Sequence, residues 1–337
     1  MASPASTPNG DGATMTQAPI PTADTVRRLV RALLEEGEES GGTGGGAGPE
    51  VRPVRPAADG GARTWWVGSR HVLRLAADRE AADRRRRELR LRDLVRPHLP
   101  VAVPVSVAHG DWSPGLPYTL DVRLAGGTGE EHDVSAVGEA DLAGLLGGLR
   151  EVPARQAEAL GVPRTAPRSL EALRRMAVAA AERLAHADEF DPARLSQLTP
   201  LGAAQLAAQP ATTVLVHHAL TGEHLVVSPD GRVRGVLDWS RTVLGDPAED
   251  IATLALAVGS GAAVRAATLT GYGARPCLRG LWLARCDTVL RLADRLDGRS
   301  TASLPLLRTR LRRAWEAILL ERVTELREDE DGADPEL

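Results

Sequence analysis

Residues 214–252, VLVHHALTGEHLVVSPDGRVRGVLDWSRTVLGDPAEDIA, place more polar chemistry between short apolar runs than a core hairpin requires. Val214–Val216 and Leu225–Val227 are apolar, and Val233–Leu237 returns after Ser228-Pro229-Asp230-Gly231, a turn whose glycine supplies the positive φ that closes it. His217 and His218 follow the first run, Glu223 and His224 stand at the entry to the second, and Asp238 stands at the exit of the third. Gly245-Asp246-Pro247-Ala248-Glu249-Asp250 then reads as a helix start, with Asp246 as N-cap, Pro247 at the first helical position and acids in the first turn.

Upstream of this unit the pattern is of short strands. Val51–Pro56, Arg63–Val67 and His71–Ala76, separated by turns at Ala57–Ala62 and Gly68–Arg70, predict an antiparallel meander. A charged helix over Arg79–Leu94 follows, then Pro-punctuated extended segments at Val101–Val107 and Tyr118–Leu124. From Val134 onward, helices are expected near 138–149, 168–186, 191–208, 247–258, 262–271, 278–296 and 304–328. A β-rich part followed by a larger helical part is an α+β layout. Before the meander, Thr25–Glu36 carries Val26, Leu29, Val30, Leu33 and Leu34 at helical spacing, and Gly37–Pro49 is a Gly-rich connector. Residues 1–20 read as a disordered tail. A Gly-rich stretch also invites a phosphate-loop reading, but the invitation is weak, because the sequence has no G-x-x-x-x-G-K-[ST] and no Lys to complete one.

Composition narrows the chemistry. With 43% hydrophobic residues but only six Trp, two Tyr and one Phe, the core of this 337-residue chain must be built mostly from Ala, Leu and Val. Its 41 basic residues are all Arg, and its single Asn is Asn9, so mechanisms needing Lys or a folded-region Asn are excluded. The formal charge of −4 comes from a tail, Glu325–Leu337, with seven acids against one Arg, and the remainder makes no electrostatic case for nucleic acid. Two cysteines, Cys277 and Cys286 in a helical pattern, predict reduced, buried thiols. The start lacks the basic flank and apolar region of a signal peptide, and the longest apolar run, Ile251–Gly259, is under half of the roughly 20 residues of a membrane span. A soluble, cytoplasmic protein with no membrane partner is expected.

The stretch 214–252 resembles the catalytic core of the antibiotic phosphotransferase family, the bacterial kinases of aminoglycosides and macrolides. There a pattern like H-G-D-L-x-x-x-[NH]-x-L is followed by a hairpin, D-W and G-D-P-x-x-D. Upstream, RTWWVGSRHVLRLAADRE, RRRRELRLRDLVRPHLPVAVPVSVAHG and GLPYTLDVRLAGG are similar to that family's second and third strands, its αC-like helix and its hinge. The resemblance spans about residues 21–326. It implies a two-lobed, protein-kinase-like fold: a nucleotide-binding lobe over 21–122, a helical lobe over 123–326, and an acidic tail at 327–337.

It also implies roles, residue by residue. Asp238 matches the metal aspartate, where a carboxylate suits Mg²⁺ bridging the phosphates of GTP or ATP; otherwise it is an Asp ending a strand. His224 takes the second metal position, where most relatives carry Asn and the macrolide branch a His; otherwise it faces solvent. Ala219 stands where the family has the catalytic Asp, with His217 two residues before it. His218, in place of the family's Gly, is a candidate substitute base. Asp250 would brace the His217 loop. Arg74 aligns with the strand Lys that meets the α- and β-phosphates, or is a solvated strand Arg. Glu88, on the inward stripe of its helix, would pair with Arg74, or else with Arg84 or Arg92 four residues away. Gly60 and Gly61 would cover the nucleotide, and Leu120 and Val122 would present hinge backbone to the purine. The expected activity is transfer of a γ-phosphate to a small-molecule hydroxyl, of a macrolide or aminoglycoside; the alternative is a catalytically impaired module that binds nucleotide or antibiotic. The acceptor region is sought near Trp282 and Trp315.

Overall fold

A computed structural model of the chain describes residues 20–38, 49–54, 63–207 and 213–318. The tail before Ile20, most of the Gly-rich connector, the turn that holds Gly60 and Gly61, and the acidic tail lie outside the described residues. Two compact units emerge, one from the residues up to Asp83 with Val107–Asp121, the other from Arg84–Ser106 with everything from Val122.

The smaller unit is built on period-two alternation. Strands β1 (Val51–Pro53), β2 (Thr64–Val67), β3 (His71–Leu75), β4 (Ser106–Ser113) and β5 (Leu116–Val122) form one sheet in the order β1-β2-β3-β5-β4. Antiparallel register sets Trp65 opposite Leu73, so Trp65, Val67, Leu73 and Leu75 turn to one buried side. Helix α1 (Ala23–Glu38) covers that side with Val26 and Val30, and Tyr118 and Leu120 of β5 complete the core. The extended segment expected over Val101–Val107 is corrected: Pro100 and Pro104 lack N–H groups, and the strand starts at Ser106. Of the earlier residues, Ala102 bridges β9, exchanging bonds with Arg234 and Val236, and the Val105 carbonyl accepts the Val122 N–H of β5.

The larger unit is mainly helical. Helix α2 (Arg79–Val95) ends in it, and α3 (Ala136–Glu151), α4 (Ala154–Ala159), α5 (Leu170–His186), α6 (Pro200–Gln205), α7 (Ala248–Val258), α8 (Ser260–Leu269), α9 (Ala274–Leu296) and α10 (Leu304–Ala314) come after it. The single helix expected over 191–208 is two pieces, a 3-10 turn at Pro192–Gln197 and then α6, because Thr199 caps a new start with Pro200 at its first position. Of the helix expected over 304–328, α10 ends at Ala314 and Trp315 turns into an aromatic cluster, while 319–328 lie outside the described residues.

Strands β6 (Gly127–Thr128), β8 (Leu225–Val227) and β9 (Val233–Val236) form one small sheet, with Leu225 opposite Val236. Gly231, at φ +76°, closes the hairpin, and a Cβ there would stand 2.7 Å from the backbone nitrogen of Ser135, the N-cap of α3. Val214–Val216 belongs to a different ladder: as β7 it pairs with β10 (Val243–Gly245), a strand that the sequence pattern does not show.

Helix α7 is seated against α9 at closely fitted positions. Gly280 of α9 lets it approach, since a Cβ there would lie 2.8 Å from Ile251. The helix begins one residue later than expected, so Pro247 and not Asp246 takes the cap position, and Asp246 accepts the Ala248 N–H at 3.0 Å from one residue before it. The other Asp246 oxygen takes the Nε–H of buried Arg279 at 2.6 Å, and Arg279 also donates to the Leu206 and Arg168 carbonyls. Both charges are therefore paired in the interior. Cys277 and Cys286 on the same helix are free and buried. Among the described residues no helix is long and apolar enough to cross a membrane.

Candidate active site

The first turn of α7 aims Asp250 at the segment after β7. Its carboxylate accepts two backbone donors at once, the His217 N–H on Oδ2 and the His218 N–H on Oδ1, each at 2.8 Å. That grip fixes the segment where His218 adopts φ +64°, a left-handed conformation that costs a non-glycine residue about 1 kcal/mol or more. A Gly at this position, as in the family pattern, is free of that cost.

Next in the chain, the Ala219 methyl is buried at 4% exposure, and the Ala219 carbonyl receives the Nδ1–H of His224 at 2.7 Å. The bond commits Nδ1 as donor, so in the neutral ring Nε2 presents its lone pair. That nitrogen lies 3.5 Å from Asp238 Oδ2. Two acceptors facing each other at this distance are relieved by a cation between them or by a proton on Nε2. Asp238 Oδ1 is held by the Ser240 hydroxyl at 2.7 Å, and Asp238 itself sits at φ +60°. Of the three non-glycine residues at positive φ among those described, two are thus in this site. The donor set fits a divalent cation shared with phosphates, which supply Mg²⁺ with most of its oxygens; the imidazole nitrogen favours a softer ion such as Mn²⁺. Among the described residues no group of three His, Cys, Asp or Glu side chains could hold a metal without such help.

His217 has a different role from His224. It is fully buried, its Nε2–H donates to the Leu237 carbonyl at 3.1 Å, and its ring meets Trp239 edge-on at 4.7 Å. Burial pushes its pKa down to about 3, with the His224 charge adding to the effect. It is a neutral structural imidazole joining the two strand ends that carry the site. Burial acts oppositely on Asp250 and raises its pKa to about 7, although both backbone bonds pull it down.

These two shifts oppose each other in stability. Between about pH 3 and 6.5 the unfolded chain binds a proton on His217 that the native state lacks, so this residue makes stability rise with pH. Between about pH 4 and 7 the native state holds a proton on Asp250 that the unfolded chain lacks, so this one makes stability fall. His217→Asn removes only the rise. Urea unfolding of the variant should therefore lose stability with rising pH relative to wild type, by up to about 1.4 kcal/mol per pH unit across roughly pH 4–6. Parallel pH profiles would show that His217 titrates as an ordinary surface histidine.

Arg74 belongs to the smaller unit and Glu88 to the larger. Glu88 is 2% exposed; Oε1 accepts a hydrogen bond from Arg92 Nη2 and another, at 3.3 Å, from the Trp239 backbone N–H, and Arg85 lies 3.7 Å from Oε2. Arg74 on β3 has its Nε 3.8 Å from the buried carboxylate of Asp121. On β5, Leu120 is a core side chain, and the Val122 N–H donates to the Val105 carbonyl at 2.8 Å. Three residues of the site, and Asp121 in the other unit, escape the sequence reading. Ser240 and Thr221 have only the local signal of a hydroxyl within three residues of a polar partner; Asp121 and Arg168, which clamps Glu249 beside Asp250, have none.

Trp282 and Trp315, which mark the expected acceptor region, are in contact with each other. They stack edge-on at 5.8 Å, with Phe190 beside Trp315 and the Arg285 guanidinium over both rings. The three aromatic side chains are buried core.

A sequence model described as the phosphotransferase enzyme family matches residues 53–281. No curated protein is similar enough in sequence to count as a relative. Among solved structures, the GDP complex of aminoglycoside 2'-phosphotransferase-IIIa is 18% identical, with 90% of this chain and 99% of that one covered at a TM-score of 0.57. The macrolide 2'-phosphotransferase of Brachybacterium faecium, solved as apoenzyme, is 23% identical over 83% of this chain and 97% of its own, at 0.52. A type I macrolide 2'-phosphotransferase is 19% identical over 87% and 98%, at 0.53. The fold is that of this kinase-like group, a small antiparallel sheet lobe and a larger helical lobe.

Proposed function

Because the chain belongs to the phosphotransferase enzyme family, we propose that it binds GTP or ATP through a divalent cation on His224 and Asp238 and passes the γ-phosphate to a hydroxyl of a small molecule, without the usual carboxylate base. The observation that carries this reading is the braced segment itself. Asp250 holds the backbone of His217 and His218, His224 and Asp238 face each other at 3.5 Å, and the departures from the family pattern at the reacting end are the His218 side chain and the Ala219 methyl. A scaffold kept in strained backbone at His218 and Asp238 is a functional arrangement more than a packing one.

When bound, the cation would neutralise charge on the β- and γ-phosphates. Arg74 would meet the α- and β-phosphates as a fork, with a reach different from that of Lys. Glycines 60 and 61 would close over them, and the hinge would take the purine. Ala219 can neither orient the acceptor hydroxyl nor take its proton. Because phosphoryl transfer passes through a loose transition state, positioning and electrostatics still accelerate the reaction without that base. His218 is the substitute: burial holds its ring below the ordinary imidazole pKa, against the pull of Glu249, so at neutral pH it is free to accept a proton. Macrolides and aminoglycosides are the acceptor classes, by analogy with the similar enzymes. The buried methyl at Ala219 is also the observation that favours a second reading, a module that binds nucleotide or antibiotic and transfers nothing.

Thermal unfolding with GTP and ATP, each with and without Mg²⁺, tests the shared premise. Nucleotide at 100 times its Kd should add about 2.7 kcal/mol, and Mg²⁺ should enlarge the shift. No shift under any condition would remove both readings.

A further inference from the structure

We infer that Glu88 is a positioning residue for the metal aspartate, acting through the backbone of Trp239. This role rests on the proposed function and deepens it by naming a support of its metal site.

Asp238 occupies a left-handed conformation, and such a conformation persists only when its surroundings over-determine it. The residues on either side show how. On the amino side, the Leu237 N–H donates to the His224 carbonyl at 2.8 Å and the Leu237 carbonyl accepts from His217 Nε2. On the carboxyl side, the Trp239 N–H donates to Glu88 Oε1 at 3.3 Å, while the Trp239 ring is 1% exposed and its Nε1–H reaches the Val236 carbonyl at 3.1 Å. The Asp238 turn is therefore pinned at both ends, and the pin on the carboxyl side is a carboxylate from α2, 151 residues earlier in the chain. Its charge is tolerable in the interior because Arg92, itself 1% exposed, binds the same oxygen. Losing Glu88 leaves the Trp239 N–H without that acceptor and lets the strained turn relax, which moves Asp238 Oδ2 away from His224 Nε2. What should be lost is metal binding, with the fold and the nucleotide's other contacts preserved.

The test uses the full chain, with GDP and ADP as probes and Mn²⁺ as the cation, and reads two affinities: nucleotide alone, and the gain on adding Mn²⁺, followed by the loss of the free-ion signal in electron paramagnetic resonance. Glu88→Ala is expected to leave metal-free affinity within about twofold and to reduce the Mn²⁺-dependent gain by about tenfold or more, the scale seen for outer-shell partners of metal ligands. Glu88→Gln keeps an acceptor oxygen for the Trp239 N–H and should restore most of the gain. Glu88→Ala takes the carboxylate away from buried Arg92 and can fail to fold, so the double variant Glu88→Met/Arg92→Met removes both charges together and should show the same selective loss. A double variant that folds and keeps its Mn²⁺ gain overturns the positioning role. So does an equal fall in metal-free affinity, which would mean that Glu88 acts on the phosphates through Arg74. A wild-type protein with nucleotide affinity but no Mn²⁺ gain overturns this role and the metal assignment together, whereas the first two outcomes leave that assignment standing.

Discussion

Asp250→Ala is expected to lower the unfolding free energy by about 3 to 5 kcal/mol, because two backbone donors lose their acceptor at once and each buried unpaired group costs about 1 to 3 kcal/mol. The loss should exceed that of a random buried Asp. Asp250 also holds His218 at φ +64°, and without it that residue is free to leave the left-handed region and to take Ala219 with it. Asp250→Asn keeps one good acceptor but sets an NH₂ against the second N–H, so it should fall between alanine and wild type. Urea denaturation with a common m-value reads the effect directly. A loss under about 1 kcal/mol for the alanine variant would mean that the His217–His218 segment is held by its flanking strands, with Asp250 no more than a first-turn carboxylate favoured by the helix dipole.

Much of this geometry was legible in residue order, and the exceptions have identifiable causes. The hairpin of β8 and β9 follows from two apolar runs around Ser-Pro-Asp-Gly, and the meander from alternation at Trp65, Val67, Leu73 and Leu75. Strand β4 was hidden because Gly110-Asp111 reads as a breaker; the glycine is there because the Tyr118 ring lies 3.1 Å from where its Cβ would be. β10 is too short at three residues to show any period, and its pairing with β7 is a tertiary fact. The buried position of Glu88 could be read from helical spacing. Its bond to the Trp239 backbone could not, because a contact across 151 residues leaves no local trace. The tautomer of His224 was equally invisible, since it depends on where the Ala219 carbonyl points.

The result that separates an impaired enzyme from a binding module is Ala219→Asp. The family pattern places a carboxylate at this position, next to His218 and five residues before His224, and in this fold the backbone there is already held by Asp250 and by the His224 bond to the Ala219 carbonyl. Removing a general base typically costs a factor of about 10² to 10⁴, so restoring it into a preserved frame should return part of that range. Acceptor-stimulated turnover of GTP or ATP, measured with a panel of macrolides and aminoglycosides, should rise at least about tenfold, or roughly 1.4 kcal/mol of barrier. If wild type already turns over at a rate usual for kinases, a side chain or water other than residue 219 takes the proton, and His218→Ala should then abolish that turnover. The His218→Ala result needs a stability control, because alanine at φ +64° keeps the backbone strain; His218→Gly removes strain and imidazole together, and a gain in stability with a loss of turnover in that variant would identify the ring as the base. If nucleotide binds but neither wild type nor Ala219→Asp transfers phosphate to any acceptor tried, the binding module is the correct reading. In that case the His224–Asp238 pair and its supports persist for holding a nucleotide, and the methyl at position 219 removes the step that would consume it.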